Sequence, residues 1–344
     1  MPGETKIHVG VVPTLDEVAS LAGVSRATAS RAINGGSRVS PEAMAAVQEA
    51  VRTLGYSPNR AARSLVTRRT DSVAIVVPEP NERVFTDPFF SDWLRGVSAA
   101  LDPADLQLVL LLARPGAEGA RTMRYLRNRH VDGALVISHH RGDGLTEEIA
   151  DLGLPCVFGG RPWSGAERIS YVDVDNRVGG RMATEALVER GCRRIATVAG
   201  PADMTAAVDR LEGWRDALRR AGLSDERVVH GNFTIESGAR ATTELLEAYP
   251  DVDGIFAASD LMASGVLSVL AARGLAVPDD VAVVGYDDLG VAERTDPPLT
   301  TVRQSATEMA ERATALLLEQ MGRPGPAPVK HEILPPQLVR RESA

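Results

Sequence analysis

The chain has 344 residues, 44% of them hydrophobic and 24% charged, enough apolar material for one small and one large domain, or for three lobes of ordinary size. Its two cysteines, Cys156 and Cys192, cannot build a disulfide framework or a four-thiolate zinc site. With no apolar leader and no stretch near the roughly 20 residues that span a bilayer, export, membrane insertion, a metal and a cofactor are all unexpected. The formal net charge of −8 is unevenly placed: residues 1–70 carry nine Lys/Arg against five Asp/Glu, and residues 71–344 carry 29 against 41. A basic head suits phosphates, while an acidic bulk limits non-specific adhesion and keeps the protein soluble in the cytoplasm.

Residues 1–13 read as a flexible N-terminus, and residues 14–58 as a three-helix domain. Thr14 with Glu17 three residues on forms a capping box, so a helix starts at Leu15. Leu15, Val18, Ala19 and Ala22 give it one narrow apolar face. Gly23 supplies a tight turn, and Ser25 caps a second helix with Ala29, Ala32 and Ile33 facing inward. Its other side shows Arg26, Ala27, Ser30 and Arg31. Ser40–Pro41 opens a third helix, striped by Val47, Ala50, Val51 and Leu54 and ended by Gly55. Two short helices packed through alanines present the second as a slender ridge that fits the roughly 12 Å major groove, where arginine can donate paired bonds to guanine. Between Ser25 and Arg69 eight arginines stand against only Glu42 and Glu49, so this helix-turn-helix is expected to bind DNA.

Residues 59–70 form a hinge helix and linker. "NRAARSLVTRRT" is rich in helix formers yet about two turns long, marginal in isolation. It is expected to fold against a partner, with Arg60, Arg63, Arg68 and Arg69 near phosphates. Leu65 would then wedge between base steps in the minor groove, or else pack on the core as part of a loose tether.

From Asp71 a βα alternation takes over: "DSVAIVVP", "LQLVLLLA", "DGALVI" and "PCVFGG" as strands, with "FFSDWLRGVSAAL", "EGARTMRYLRNR" and "TEEIADLG" as helices. Continuous Val/Ile/Leu runs indicate parallel strands buried on both faces. A second set starts at "ISYVDV" and continues through "NRVGGRMATEALVERG", "RIATVAG", "RLEGWRDALRRAG", "TIESGARATTELLEAY", "GIFAAS", "LMASGVLSVLAARG" and "DVAVVGYDD". The tail adds one helix and the strand "KHEIL", so the two doubly wound lobes exchange chain at their ends. The expected division is an N-lobe of residues 71–170 with 303–329 and a C-lobe of 171–302 with 330–344.

Ligands of doubly wound sheets sit beyond the carboxyl ends of the strands. That rule favours Pro78–Glu79, Ser138–His140, Arg161, Asp175, Arg210, Ser259 and Asp287. Arg210 and Asp287 suit vicinal hydroxyls of a sugar. Glu79, His139 and His140 either select a cationic or polyhydroxy ligand or line its rim in solvent. An enzyme is not expected: the opening strand is followed by no G-x-G-x-x-G, and the chain has no P-loop, no G-x-S-x-G elbow and no H-E-x-x-H. A plain solute-binding protein fits the lobes but not the capped, basic head.

The motifs "TLDEVASLAGVSRATASRAINGGSRVSPEAMAAVQEAVRTLGYSPNRAARSL", "DPFFSDWLRGV", "HVDGALVI", "VDVDNRVGG", "GIFAASDLMASG", "VAVVGYDDL" and "LTTVRQSATEMAERATALLL" occur in one order from Thr14 to about Leu334. In that order the chain resembles the LacI/GalR family of bacterial transcriptional regulators. The resemblance implies a homodimer, with room for a higher oligomer, on a near-palindromic operator in double-stranded DNA. Arg26, Ala27 and Arg31 would read bases with Ser30 nearby, Asn34, Thr14 and Arg60 would position the contact, and Leu65 would open the central minor groove. It also implies a core like the periplasmic sugar-binding proteins, with a small effector contacted by Phe90, Asp175, Arg210, Phe233, Ser259, Asp287 and Gln304. Asp175 fits equally a cap for the helix starting at Asn176, and Phe233 fits equally a core residue. The expected function is repression released by a sugar; the alternative is a nucleoside- or phosphometabolite-responsive regulator acting through a corepressor.

Overall fold

The protein is described by a computed structural model covering residues 13–33, 39–57 and 69–344. It divides into two compact units that meet at Thr70 and Asp71. The first holds α1 (Leu15–Leu21), α2 (Arg26–Ile33) and α3 (Pro41–Leu54). Thr14 N donates to Glu17 Oε2 at 2.7 Å and Glu17 N donates back to Thr14 Oγ1 at 3.3 Å, closing the capping box. Thr28 N donates to Ser25 Oγ at the start of α2, and Ala43 N to Ser40 Oγ at the start of α3. These bonds satisfy amides that a helix start would otherwise leave unpaired. Val18, Ala19, Ala29, Ala32, Val47 and Ala50 form the core. The expected hinge helix and Asn34 lie outside the described residues.

The second unit holds two six-stranded sheets. The N-lobe sheet contains β1 (Ser72–Val77), β2 (Gln107–Leu112), β3 (Gly133–Ile137), β4 (Cys156–Gly159), β5 (Ser170–Val174) and β11 (His331–Leu334), in the parallel order β11-β5-β4-β3-β1-β2. Every residue of β1 is buried, and its period of two divides the work. Val73, Ile75 and Val77 pack towards α5 (Pro88–Leu101) and α12 (Ala306–Met321), whereas Ala74 and Val76 pack towards α6 (Ala117–Arg127) and α7 (Leu145–Leu152).

The C-lobe sheet contains β6 (Ile195–Ala199), β7 (Val228–His230), β8 (Gly254–Ala257), β9 (Ala282–Asp287), β10 (Thr300–Arg303) and β12 (Gln337–Val339), in the order β12-β10-β9-β8-β6-β7. Only β12 runs antiparallel to its neighbour in that sheet. The lobe is completed by α8 (Asn176–Arg190), α9 (Thr205–Ala221), α10 (Ile235–Ala248) and α11 (Asp260–Ala272).

The lobe boundaries move from their expected places. Tyr171 pairs with Phe158 of β4, and His331 with Tyr171 of β5, so residues 171–174 and 331–334 belong to the N-lobe rather than the C-lobe. The chain therefore crosses between lobes at Asp175, between Arg303 and Ala306, and between Leu334 and Gln337. A strand's own residues do not say which sheet it joins; only pairing decides. The short α4 (Asn81–Thr86), β7, β10 and β12 were not expected, being too brief to show a period.

Candidate functional site

The carboxyl ends of both sheets face a cleft between the lobes that holds a cavity lined from both sides, the place where doubly wound sheets take their ligands. Arg83, Asp87 and Phe89 from α4 and α5, Ser138 and His139 after β3, Gly159 and Gly160 at the end of β4, and Asp173 of β5 line the N-lobe side. Arg210, Phe233, Ser259 and Asp287 line the C-lobe side, with Gln304 from a crossing segment.

Arg210 is the best-held of these side chains. Its helix, α9, crosses α8 backbone to backbone: a Cβ on Gly180 would lie 2.1 Å from Arg210 O, and one on Gly213 the same distance from Arg177 O. That approach places Arg210 Nε 2.8 Å from Asn176 Oδ1. Nη1 donates to Ala258 O at 2.7 Å and lies 3.4 Å from Asp287 Oδ1, and the guanidinium rests 3.7 Å from the centroid of the Tyr286 ring. Nη2 donates to no described residue, so the planar fork is fixed with one edge left for the cavity. Gln304 Nε2 donates to Asp287 Oδ1 at 2.6 Å, and the Asp260 backbone also supports the Asp287 carboxylate.

Burial sets the charge of the site. It pushes the Asp287 carboxyl well above the ordinary range; Arg210 pulls it down, while the charge of Asp87 raises it further. Burial lifts Asp173 to about 6 and drops His139 to about 4, so the His139 imidazole is neutral near pH 7. Three non-glycine residues of the cavity wall have positive φ: Ser138 at 56°, Phe233 at 65° and Asp287 at 116°. Such backbone persists where surrounding structure enforces it, commonly at functional sites.

The lobes touch across the cleft. Arg161 Nη2 donates to Asp209 Oδ2 at 2.6 Å, Thr205 Oγ1 donates to Arg161 O at 2.6 Å, and Arg141 N donates to Asp203 O at 2.8 Å. His140 of the N-lobe stands between Glu79 Oε1 at 3.1 Å and Asp203 Oδ2 of the C-lobe at 2.9 Å. Burial alone would lower the His140 pKa, but hydrogen bonds and charge from Glu79 and Asp203 outweigh it and the net shift is upward. A raised histidine stabilises this closed arrangement fully below its ordinary pKa, ~6.5, and loses that contribution as pH rises through the raised value. Effector affinity is therefore expected to fall as pH rises above about 6.5 and through the raised His140 pKa, and His140→Gln to flatten that slope. Equal slopes for the two proteins in pH-dependent calorimetry would refute this role.

On the head, Arg26, Ala27 and Arg31 are exposed and Ser30 is half-buried on one side of α2. Arg26 reaches Asp16 at 3.4 Å, but both side chains are about two-thirds exposed, so the pair is worth little and is readily exchanged for a phosphate or base. Arg31 Nε donates to Ala27 O at 3.1 Å. Thr14 is occupied by its capping box. Arg60 and Leu65 lie outside the described residues.

Comparison with known proteins now bears on both units. Residues 14–59 match the family described as bacterial regulatory proteins, lacI family, and residues 184–344 match a periplasmic binding protein-like domain. Over 334 residues the chain is 51% identical to the HTH-type transcriptional regulator CelR of Thermobifida fusca, covering 96% of this chain and 98% of that one. The chain belongs to the LacI/GalR family. It is 34% identical over 318 residues to the ribose operon repressor of Escherichia coli K12, covering 90% and 94% of the two chains. Among solved structures, a CelR–cellobiose complex matches with TM-score 0.77 and 47% identity, over 96% of this chain and 100% of that one. A lac repressor dimer bound to operator and the anti-inducer ONPF matches with TM-score 0.85 and 28% identity, over 96% and 99%. Like the rest of the LacI/GalR family, the chain is an effector-responsive, DNA-binding transcriptional regulator and not an enzyme. Among its described residues no helix is long and apolar enough to cross a membrane.

For a LacI/GalR member the structure gathers Arg210, Phe233, Ser259, Asp287 and Gln304 on one cavity, and leaves three expected effector residues off its wall. Phe90 is 1% exposed inside the N-lobe core; its neighbour Phe89 lines the cavity instead, one helical step (~100°) away. Asp175 caps α8 by accepting from Val178 N at 2.9 Å, while Asp173, two residues earlier and inside β5, lines the cleft. Arg161 bridges the lobes rather than lining the cavity. Arg83 and Asp87 escaped the sequence reading because the short α4 that leads into them carries no periodic signal.

Proposed function

We propose that this protein is a transcriptional repressor that holds a near-palindromic operator as a homodimer and releases it when a short sugar closes between the lobes. The observation that carries the reading is the Arg210–Asp287–Gln304 group. It is a buried, rigid fork whose charge is already offset, with donor and acceptor groups lining the cavity beside the rings of Phe233 and Phe89. Adjacent hydroxyls satisfy both kinds of edge, and the rings suit the apolar face of a pyranose. A phosphorylated effector fits less well, because Asp87, Asp173 and Asp287 line the cavity against only Arg83 and Arg210. The CelR relative found in complex with cellobiose makes that disaccharide the first effector to try. On this reading the protein works in the cytoplasm, on the nucleoid when bound to DNA. Closure rotates the N-lobes of the dimer, alters the spacing of the paired hinge segments and so weakens the DNA-bound form.

Operator-DNA anisotropy titrated with cellobiose, maltose, ribose and adenosine tests this. A sugar should release the operator. If no sugar changes operator affinity, or adenosine tightens it, the reading fails. Arg31→Ala should cost about 1–3 kcal/mol of operator affinity and relax preference at one base pair per half-site. A uniform loss on every sequence, measured with substituted operators, would instead make Arg31 a phosphate contact.

A further inference from the structure

Beside the cavity described above lies a second chamber of about 620 Å³. Glu79, Glu82 and His140 bound it from the N-lobe, and Asn232, Thr234 and Ile235 from the C-lobe. The two cavities share Arg83, Asp87, Phe233 and Leu261 in their walls. Within that partition the Arg83 guanidinium of the N-lobe lies 5.2 Å from the centroid of the Phe233 ring of the C-lobe.

That partition is imperfectly satisfied. Arg83 Nε is buried with no hydrogen-bond partner, and the nearest carboxylate oxygen of Asp87 is 3.9 Å away. An orphaned donor in a buried site favours any rearrangement that gives it an acceptor. On the same wall Glu79, 3% exposed, receives Ser138 Oγ at 2.6 Å, His140 Nε2 at 3.1 Å and Arg83 Nη1, all on Oε1. No described residue donates to its Oε2. One unpaired donor beside one unused carboxylate oxygen is the complement of a sugar hydroxyl, which both donates and accepts. Ile235, 42% exposed, adds an apolar surface for the C–H face of a ring. Glu79, Glu82, Asp87 and Glu236 outnumber Arg83 and His140 around the chamber, which suits a neutral polyhydroxy group and repels an anionic one.

We propose that the outer chamber is a second sugar subsite, so that the preferred effector is an oligosaccharide whose chain passes between Arg83 and Phe233. Arg83 turns from Phe233 towards the chain, and with Glu79 holds hydroxyls of the outer unit. This inference rests on the sugar reading above.

Calorimetric titration of the full-length protein with cellobiose, cellotriose and cellotetraose tests it. Cellotriose should bind about tenfold more tightly than cellobiose. Ile235→Ala combined with Asn232→Ala, both exposed positions outside the inner cavity, should erase that advantage. Cellobiose bound with cellotriose equal or weaker overturns the subsite alone, as does an advantage that survives the double substitution. Binding of none of the three overturns the sugar reading and the subsite with it.

Discussion

Arg210→Met should leave a protein that still holds its operator but answers no effector, with effector affinity reduced at least ~100-fold. Charge-assisted hydrogen bonds contribute about 1.5–3 kcal/mol each, and the free edge of this guanidinium can make two to adjacent hydroxyls. The substitution also withdraws donors from Asn176 Oδ1, Ala258 O and Asp287 Oδ1. Removing one partner of a buried pair costs about 3–5 kcal/mol when the other charge is stranded. Here the cost should fall at the low end, because the Asp287 carboxyl is already raised by burial and takes up a proton readily. Arg210→Lys should rescue stability better than binding. An ammonium keeps the charge but cannot span Asn176, Ala258 and a ligand with one planar fork. Urea denaturation, calorimetry and operator release together decide the matter; effector affinity within threefold of the parent for Arg210→Met would remove Arg210 from the site.

Much of this architecture was legible because it is periodic. The unbroken apolar run of β1, buried at every position, announced a sheet covered on both sides. The Thr14–Glu17 box and the Ser25 and Ser40 caps announced three helix starts, and the hydrogen bonds are present at each. Within the cleft, Arg210 and Asp287 could be named because each sits where a strand end or its following helix meets a neighbour. The misses share a different cause. Phe89 and Phe90 are adjacent, and which ring turns to the cleft depends on the rotation of α5 against the sheet, a tertiary quantity. Asp173 and Asp175 are two residues apart, and only the point where β5 ends and the helix begins separates the cap from the cleft residue. The partners of β5 and β11 were likewise invisible, since pairing is long-range: β11 is joined to β5 across some 160 residues of chain.

Ala29→Asp should abolish operator binding at any salt concentration while leaving effector binding and the melting of the core intact. Ala29 is fully buried among Val18, Val47 and Ala50, in a core of six buried residues. A head of this size has a stability of only ~2–7 kcal/mol by the usual ~0.05–0.15 kcal/mol per residue. A carboxylate placed there meets alanine and valine side chains, with no cation in that cluster to receive it. The cost of burying an unpaired charge then exceeds what the head can lose. Ala27→Asp is the matching control, two residues away on the same helix but exposed. It should keep the head folded and weaken DNA binding through the lost apolar base contact and through phosphate repulsion, the second of which shrinks as salt screens it. Circular dichroism melts of the two variants, set beside operator titrations at low and high salt, separate a lost fold from a lost contact. Operator affinity within tenfold of the parent for Ala29→Asp would mean that the recognition helix does not depend on this small core, and the account of how the head presents it would have to be abandoned.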